Sequence, residues 1–311
     1  MAGLASELDA AGRAGCAVEW TDAVPLPFTT AGGVCWQNQA QLHASAYLAS
    51  LVDEAVARGV RIFDETPATG VDEAGAGGHP CLVQTSRFDV RAKDVFVAAS
   101  VPVNNRVLLH TKITAYRSHA IALDLSGLES GRSEDLPPQV TGLFWDSDSP
   151  YHYTRSHEVA GRRYLIVGGE DHRTGVEADT DRHFDALATY AEGHFAAQAI
   201  RYRWSGQIIE PVDDLPFIGL NAGSSHVYVA TGYSGNGMIF GTLAGMIVTD
   251  LVGKSEDLPH RCRWAQVVHV GTGRPRGGRL QAARSTASAT PFPPPRHSVA
   301  IPRVTLRRCM A

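Results

Sequence analysis

The chain has 311 residues, 44% hydrophobic and 19% charged, which supports one large or two ordinary globular domains and excludes a wholly disordered chain. Its longest apolar run, about Met238 to Val252, is interrupted by Thr242, Thr249 and Asp250 and falls short of the roughly 20 residues of a membrane span. The net charge of −4 is a composite: of 28 basic and 32 acidic residues, ten arginines and no acid fall in 260–311, so residues 1–259 carry −14.

The N-terminus carries Glu7 and Asp9 and no apolar core, so it does not read as a signal peptide. Five cysteines (Cys16, Cys35, Cys81, Cys262 and Cys309) lie far apart and form no CxxC pair. A zinc ribbon, an iron–sulfur loop and a disulfide framework are therefore not expected, and a reducing cytoplasmic setting is.

The first long helix is predicted over about 39–58, with Asn38 as its cap, Leu42, Leu48, Leu51, Val52, Ala55 and Val56 as its apolar stripe and Gly59 at its end. A short strand at Val60 to Phe63 follows. Next come a pair at Thr69–Asp72 and Cys81–Thr85, joined by the turn-rich AGAGGHP segment. The run KDVFVAA at 93–99 reads as a strand buried inside a sheet. Residues 106–205 change texture. Ser118–Leu123, Tyr151–Thr154 and Tyr164–Val167 read as strands of an antiparallel sheet, followed by a polar helix near 179–195.

The strongest local signal is the buried strand VYVA at 227–230, which runs through T-G-Y-S-G-N-G (231–237) into MIFGTLAGMIVTDLVG. Strand, glycine-rich turn and helix start present free backbone N–H groups and a partial positive charge. That arrangement suits a phosphate or a polarised carbonyl; a tight turn without ligand is the alternative. The glycines read GxxGxG, and no GxGxxG dinucleotide fingerprint occurs in the chain. The helix itself is apolar nearly all round, which predicts burial.

The Arg-, Ala- and Pro-rich tail 260–311 holds six of the 17 prolines and no sustained period. It is expected to be disordered. It reads either as a basic arm for nucleic acid or as translation in a shifted frame of a GC-rich gene. The −14 body gives nucleic-acid binding no support.

RWSGQIIEPVDDLPFIG (203–219) followed by VYVATGYSGNGMIFGTLAG resembles the C-terminal flavin-contacting part of the FAD-dependent D-amino acid oxidase superfamily. PLPFTTAGGVCWQNQAQLHASAYLASL (25–51) and KDVFVAAS (93–100) resemble further segments of it. YLIVGGEDHRTG (164–175) resembles the branch fused to Rieske domains or called gamma-glutamylputrescine oxidoreductase-like. The resemblance covers about 10–257. It implies an α/β (α+β) fold, with an incomplete Rossmann-like FAD-binding domain interleaved with a mixed antiparallel-sheet substrate domain. The divisions implied are 1–37 as the start of the substrate domain, 38–105 as FAD-binding, 106–205 as substrate domain, 206–259 as the FAD-binding C-terminal part and 260–311 as tail.

The activity implied is oxidation of an amine or amino acid, with hydride passing from the carbon next to nitrogen to flavin N5. FAD contacts are implied at Gly232, Tyr233, Ser234, Gly235, Asn236, Gly237 and Met238, at Val71, and at Ala98 and Ala99. Substrate-side candidates are Tyr116, Arg117, His119, Tyr151, His152, Tyr153, Trp204 and Gln207. No catalytic residue is assigned. No metal site is expected, and His172, beside Glu170 and Asp171, reads as part of a solvated turn. Glu210, Asp213 and Asp214 read as a solvated loop. The family's opening GxGxxG unit is not among these residues, so the chain reads as N-terminally truncated, with weakened FAD binding. The alternatives are a flavoenzyme subunit completed by a separate Rossmann-bearing chain, with an iron–sulfur protein as a further partner, and a non-catalytic protein with a nucleic-acid-binding basic tail.

Overall fold

The computed structural model describes residues 2–73, 81–102, 109–125, 140, 142–195 and 199–253. The AGAGGHP segment and the Arg-rich tail both fall entirely outside them. The chain divides into two compact units, Met1–Gln41 with Thr66–Val270, and Leu42–Glu65 with Gly271–Ala311.

In the first unit, helix α1 (Ala2–Arg13) leads into a two-stranded antiparallel ribbon of β1 (Val18–Thr21) and β2 (Gly33–Trp36). The second unit contributes α2 (Ala44–Ala57), whose stripe includes Leu48, Leu51, Val52 and Val56. Asn38 does not cap it. The Nδ1 atom of His43 accepts from the Ala46 N–H instead, 3.3 Å away, so the helix starts five residues later than the apolar pattern predicts. Val60 to Phe63 form no strand.

The first unit resumes with a three-stranded antiparallel sheet of β3 (Ala68–Asp72), β4 (Cys81–Thr85) and β5 (Val90–Ala92). Then comes β6 (Val95–Val97), shorter than predicted and flanked on one side only, because among the described residues it pairs with a single strand. That strand is β13 (Val227–Thr231), parallel to β6 and antiparallel to β12 (Phe217–Leu220) on its other side. Every residue of β13 is buried, which explains its unbroken apolar reading. Val71, Cys81, Val97 and Val227 form one apolar cluster joining this sheet to β3 and β4.

Between these pieces lies the largest sheet, in the order β11 (Ile200–Pro211), β7 (Ile113–Asp124), β10 (Arg162–Arg173), β9 (His152–Val159) and β8 (Leu143–Trp145), antiparallel throughout. Helix α3 (Asp181–Phe195) covers one face. Its Leu187, Ala191 and Phe195 meet Ile121, Leu123, Leu165 and Val167, all nearly inaccessible. The "polar" helix of the sequence thus carries a narrow apolar stripe that its charged residues obscure.

Helix α4 (Gly237–Val252) follows β13 and packs Ala244 and Ile247 on Ile218 and Ala230. It is not buried all round. Ile239 and Met246 stand 68% and 49% exposed, because among the described residues only the β12–β13 side covers the helix.

The interface of α3 with the large sheet is the main core. Leu187→Ala should therefore cost about 2–5 kcal/mol, read as a lowered urea midpoint with unchanged m-value.

Candidate active site

The period of two along a strand sends alternate side chains to opposite faces, and in the large sheet this sorts the candidate residues into two groups. Ile121 and Leu123 face α3, so Arg117 and His119 share that face. Tyr116, Ser118, Ala120 and Ala122 look the other way, to what we call the far face. Register carries the division across the sheet. Trp204, Ala120, Gly168 and Tyr153 lie in one row on the far face, and Ser205, His119, Gly169 and His152 lie in a row on the helix face.

Of the predicted substrate residues, the fold therefore gathers Tyr116, Tyr151, Tyr153 and Trp204 on the far face. It separates them from Arg117, His119, His152 and Gln207. Arg117 donates to the Ser205 hydroxyl at 2.8 Å, and His152 stacks on Tyr190 of α3 at 4.0 Å between ring centroids.

On the far face, the Tyr151 and Tyr153 rings lie 6.2 Å apart. Tyr153 crosses over Gly168, where a Cβ would collide with its ring. Tyr151 donates to Asp171 at 3.1 Å. Burial and then the Asp171 charge push its phenol well above the ordinary range, so it stays protonated.

Glu210, opposite Thr114 on β11, is half-buried rather than part of a solvated loop. Burial, then Asp171, then Asp214 raise its pKa above the ordinary 4.5. Arg155 continues the row Tyr151, Tyr153, Arg155, and burial lowers its pKa. Sequence reasoning passed over Arg155, although the odd-numbered spacing Tyr151, Tyr153, Arg155 marks it by the period of two.

The glycine-rich turn abuts the end of this sheet. The Ser234 N–H donates to the Ile209 carbonyl at 2.9 Å, and Gly232, at φ +75°, closes against Pro211 and Phe217. Gly235, Asn236 and Gly237 are exposed. Asn236 gives α4 no side-chain cap, and Cβ positions at Gly235 and Gly237 would meet nothing within 4 Å. The start of α4 is thus exposed and without a side-chain cap, as an acceptor-bearing ring would require. Burial alone pushes Tyr233 up to about 12.

The C-terminal end of β6 reaches the same place: Thr231 donates to the Ser100 carbonyl at 2.6 Å, which brings Ala98 and Ala99 near the turn. Val71 sits elsewhere, its side chain in the cluster with Cys81, Val97 and Val227, so only its backbone is left to meet a ligand.

A strand, a glycine-rich turn and an uncapped helix start beside an aromatic sheet face define a flavoenzyme-like frame. The family profile described as FAD dependent oxidoreductase matches residues 1–251. The chain belongs to that family, whose cofactor is FAD.

It is 27% identical over 239 residues to YhfW of Bacillus subtilis (strain 168), a protein named as a Rieske 2Fe-2S iron-sulfur protein. The match spans 75% of this chain and 44% of that one. It is also 27% identical over 230 residues to OrdL of Haemophilus influenzae, named as an oxidoreductase, spanning 71% of this chain and 49% of that one. The chain therefore spans less than half of either relative.

Among solved structures, glycine oxidase from Geobacillus kaustophilus superposes with a TM-score of 0.65 at 18% identity, covering 81% of this chain and 67% of that one. L-proline dehydrogenase from P. horikoshii gives 0.60 at 15%, covering 82% and 71%. These likenesses establish a shared fold. Among the described residues no helix is long and apolar enough to cross a membrane.

Two predictions follow from the far face. Gly168→Ala should displace the Tyr153 ring and destabilise the protein by about 1–3 kcal/mol, seen as a lower Tm and altered tyrosine fluorescence. A carboxyl whose folded pKa is raised contributes stability that is complete below its ordinary 4.5 and is lost as pH rises through the folded value. Glu210→Gln should therefore match the native chain at low pH and exceed it in Tm above that window.

Proposed function

We propose that the chain contributes the substrate face and the ring-binding turn of an FAD-dependent amine or amino-acid oxidoreductase. The observation that carries this reading is the junction of the two. The open, uncapped start of α4 is tied through Ser234 and Ile209 to the end of the far face that bears Tyr151, Tyr153, Asp171 and Glu210.

Bound FAD would supply the hydride acceptor for the carbon next to the substrate nitrogen. The N–H groups at Gly237 and Met238 would hold the negative charge that builds on the ring's pyrimidine carbonyl. Tyr153 and Tyr151 would wall the substrate and exclude water. Asp171 and Glu210 would receive its ammonium group, and Glu210, with its raised pKa, suits taking the proton that must leave before the carbon–hydrogen bond can break. Arg155 suits a substrate carboxylate through its planar fork of donors. Arg117, on the opposite face, does not.

A second reading places the missing dinucleotide contacts on another polypeptide segment. It is favoured by the exposed apolar side of α4, with Ile239, Met246 and Leu251, and by the single pairing of β6 among the described residues. The name of the Bacillus subtilis relative adds an iron–sulfur centre as a candidate electron acceptor.

The decisive variant is Gly235→Val, since a Cβ added there would meet nothing within 4 Å. Its Tm should stay within a degree or two of the native value. Its affinity for FAD, read by quenching of flavin fluorescence, should fall at least about tenfold. Unchanged flavin affinity would contradict the placement of the ring at this turn. Failure of small amines and amino acids to bleach bound flavin anaerobically would contradict the activity.

A further inference from the structure

Behind the substrate face, three histidines from three elements meet. His119 comes from β7, His172 from β10 and His183 from the first turn of α3, with exposures of 1%, 8% and 6%. Their rings stand face to face, with centroids 4.3 to 5.3 Å apart and planes within 22°. One nitrogen from each lies within 4.8 Å of the other two.

Neither nitrogen of His119 nor the Nδ1 atom of His172 makes a close hydrogen bond among the described residues, although the Glu170 backbone acts on the His119 ring as an acceptor. Leaving one such group unpaired in a dry interior is costly, and an ion that takes one nitrogen from each ring would relieve two of these three atoms.

The surroundings are those of a ligand shell. The Nε2 atom of His183 bonds Glu177 at 2.9 Å, leaving Nδ1 directed at Glu170, 3.7 Å away. Glu177 is itself paired with Arg182. Glu170 holds φ at +53°, where the β7–β10 ladder breaks between Gly169 and His172. Its other oxygen meets His152 at 3.1 Å. A carboxylate bonded to the outer nitrogen of an imidazole is the device that orients metal-bound histidines.

We propose that His119, His172 and His183 bind one divalent transition-metal ion of the Zn²⁺ type, with Glu170 as an oxygen ligand and Glu177 orienting His183. Three imidazoles and one carboxylate suit that class of cation. Tetrahedral bonds of roughly 2.0 Å bring the nitrogens to about 3.3 Å from one another, so binding requires the stacked rings to turn out of parallel until their in-plane lone pairs converge. The ion would tie β7, β10 and α3 together. It lies on the opposite side of the sheet from Tyr153, so its role is structural. It is independent of the flavin site.

The test uses the full chain, stripped with EDTA and titrated with Zn²⁺. One equivalent should bind, and Tm should rise by about 5–10 °C at a hundredfold excess over Kd. His119→Phe and His172→Phe should abolish that equivalent, and Glu177→Gln should weaken it about 10- to 100-fold. His226→Ala, a change at a half-buried histidine that bonds Asp94 outside the cluster, should leave it intact. Should the phenylalanine variants fail to fold, Glu177→Gln and the Co²⁺ spectrum of the native chain decide: the proposal requires a low-symmetry nitrogen and oxygen ligand field without thiolate charge transfer. Zn²⁺ affinity unaltered in Glu177→Gln, no bound equivalent, or a Co²⁺ spectrum like that of the free aqua ion would overturn it.

Discussion

The rest of the structure hangs on the two-sidedness of one strand. β7 runs twelve residues through the large sheet, flanked by β11 and β10. Its helix-facing side chains supply the main core through Ile121 and Leu123, and its far-facing Tyr116 joins the aromatic face of Tyr151, Tyr153 and Trp204. Because the alternation is fixed by backbone geometry, a slip of one residue would exchange the two surfaces entirely. Packing of α3 against one side therefore sets the register that assembles the other.

A second constraint joins that sheet to the glycine-rich turn. β11 is edge strand to β7, yet its last residues touch the turn directly, through the Ile209 carbonyl and Pro211. Leu109, Ile113, Phe217 and Val229 make a small apolar cluster at the same seam. Core packing, sheet register and the position of the α4 N–H groups are thus mechanically one arrangement.

Much of this was legible in the sequence. The β13, turn and α4 succession announces itself by glycine placement after four apolar residues, and short pieces of β7, β9 and β10 read as strands, although these run to 12, 8 and 12 residues. The α2 cap was not legible, because a histidine replaced the expected Asn38 by offering Nδ1. The burial of α4 was overestimated, since composition reports what a helix could bury and not what lies beside it. The substrate candidates were chosen by residue type, and type carries no face. Arg117 and Tyr116 are neighbours in sequence and sit on opposite sides of the sheet. His172 was read as solvated from its acidic neighbours. Its environment is set by β7 and α3, more than fifty residues before and about ten after it in the chain, and no local pattern encodes that convergence.

Hydrogen exchange of the full chain with and without FAD tests the central claim that the two faces of β7 serve separate purposes. The account predicts slowed exchange over 207–211 and 231–240, with α3 at Asp181–Phe195 unchanged. Protection confined to α3, or none at the glycine-rich turn, would contradict it.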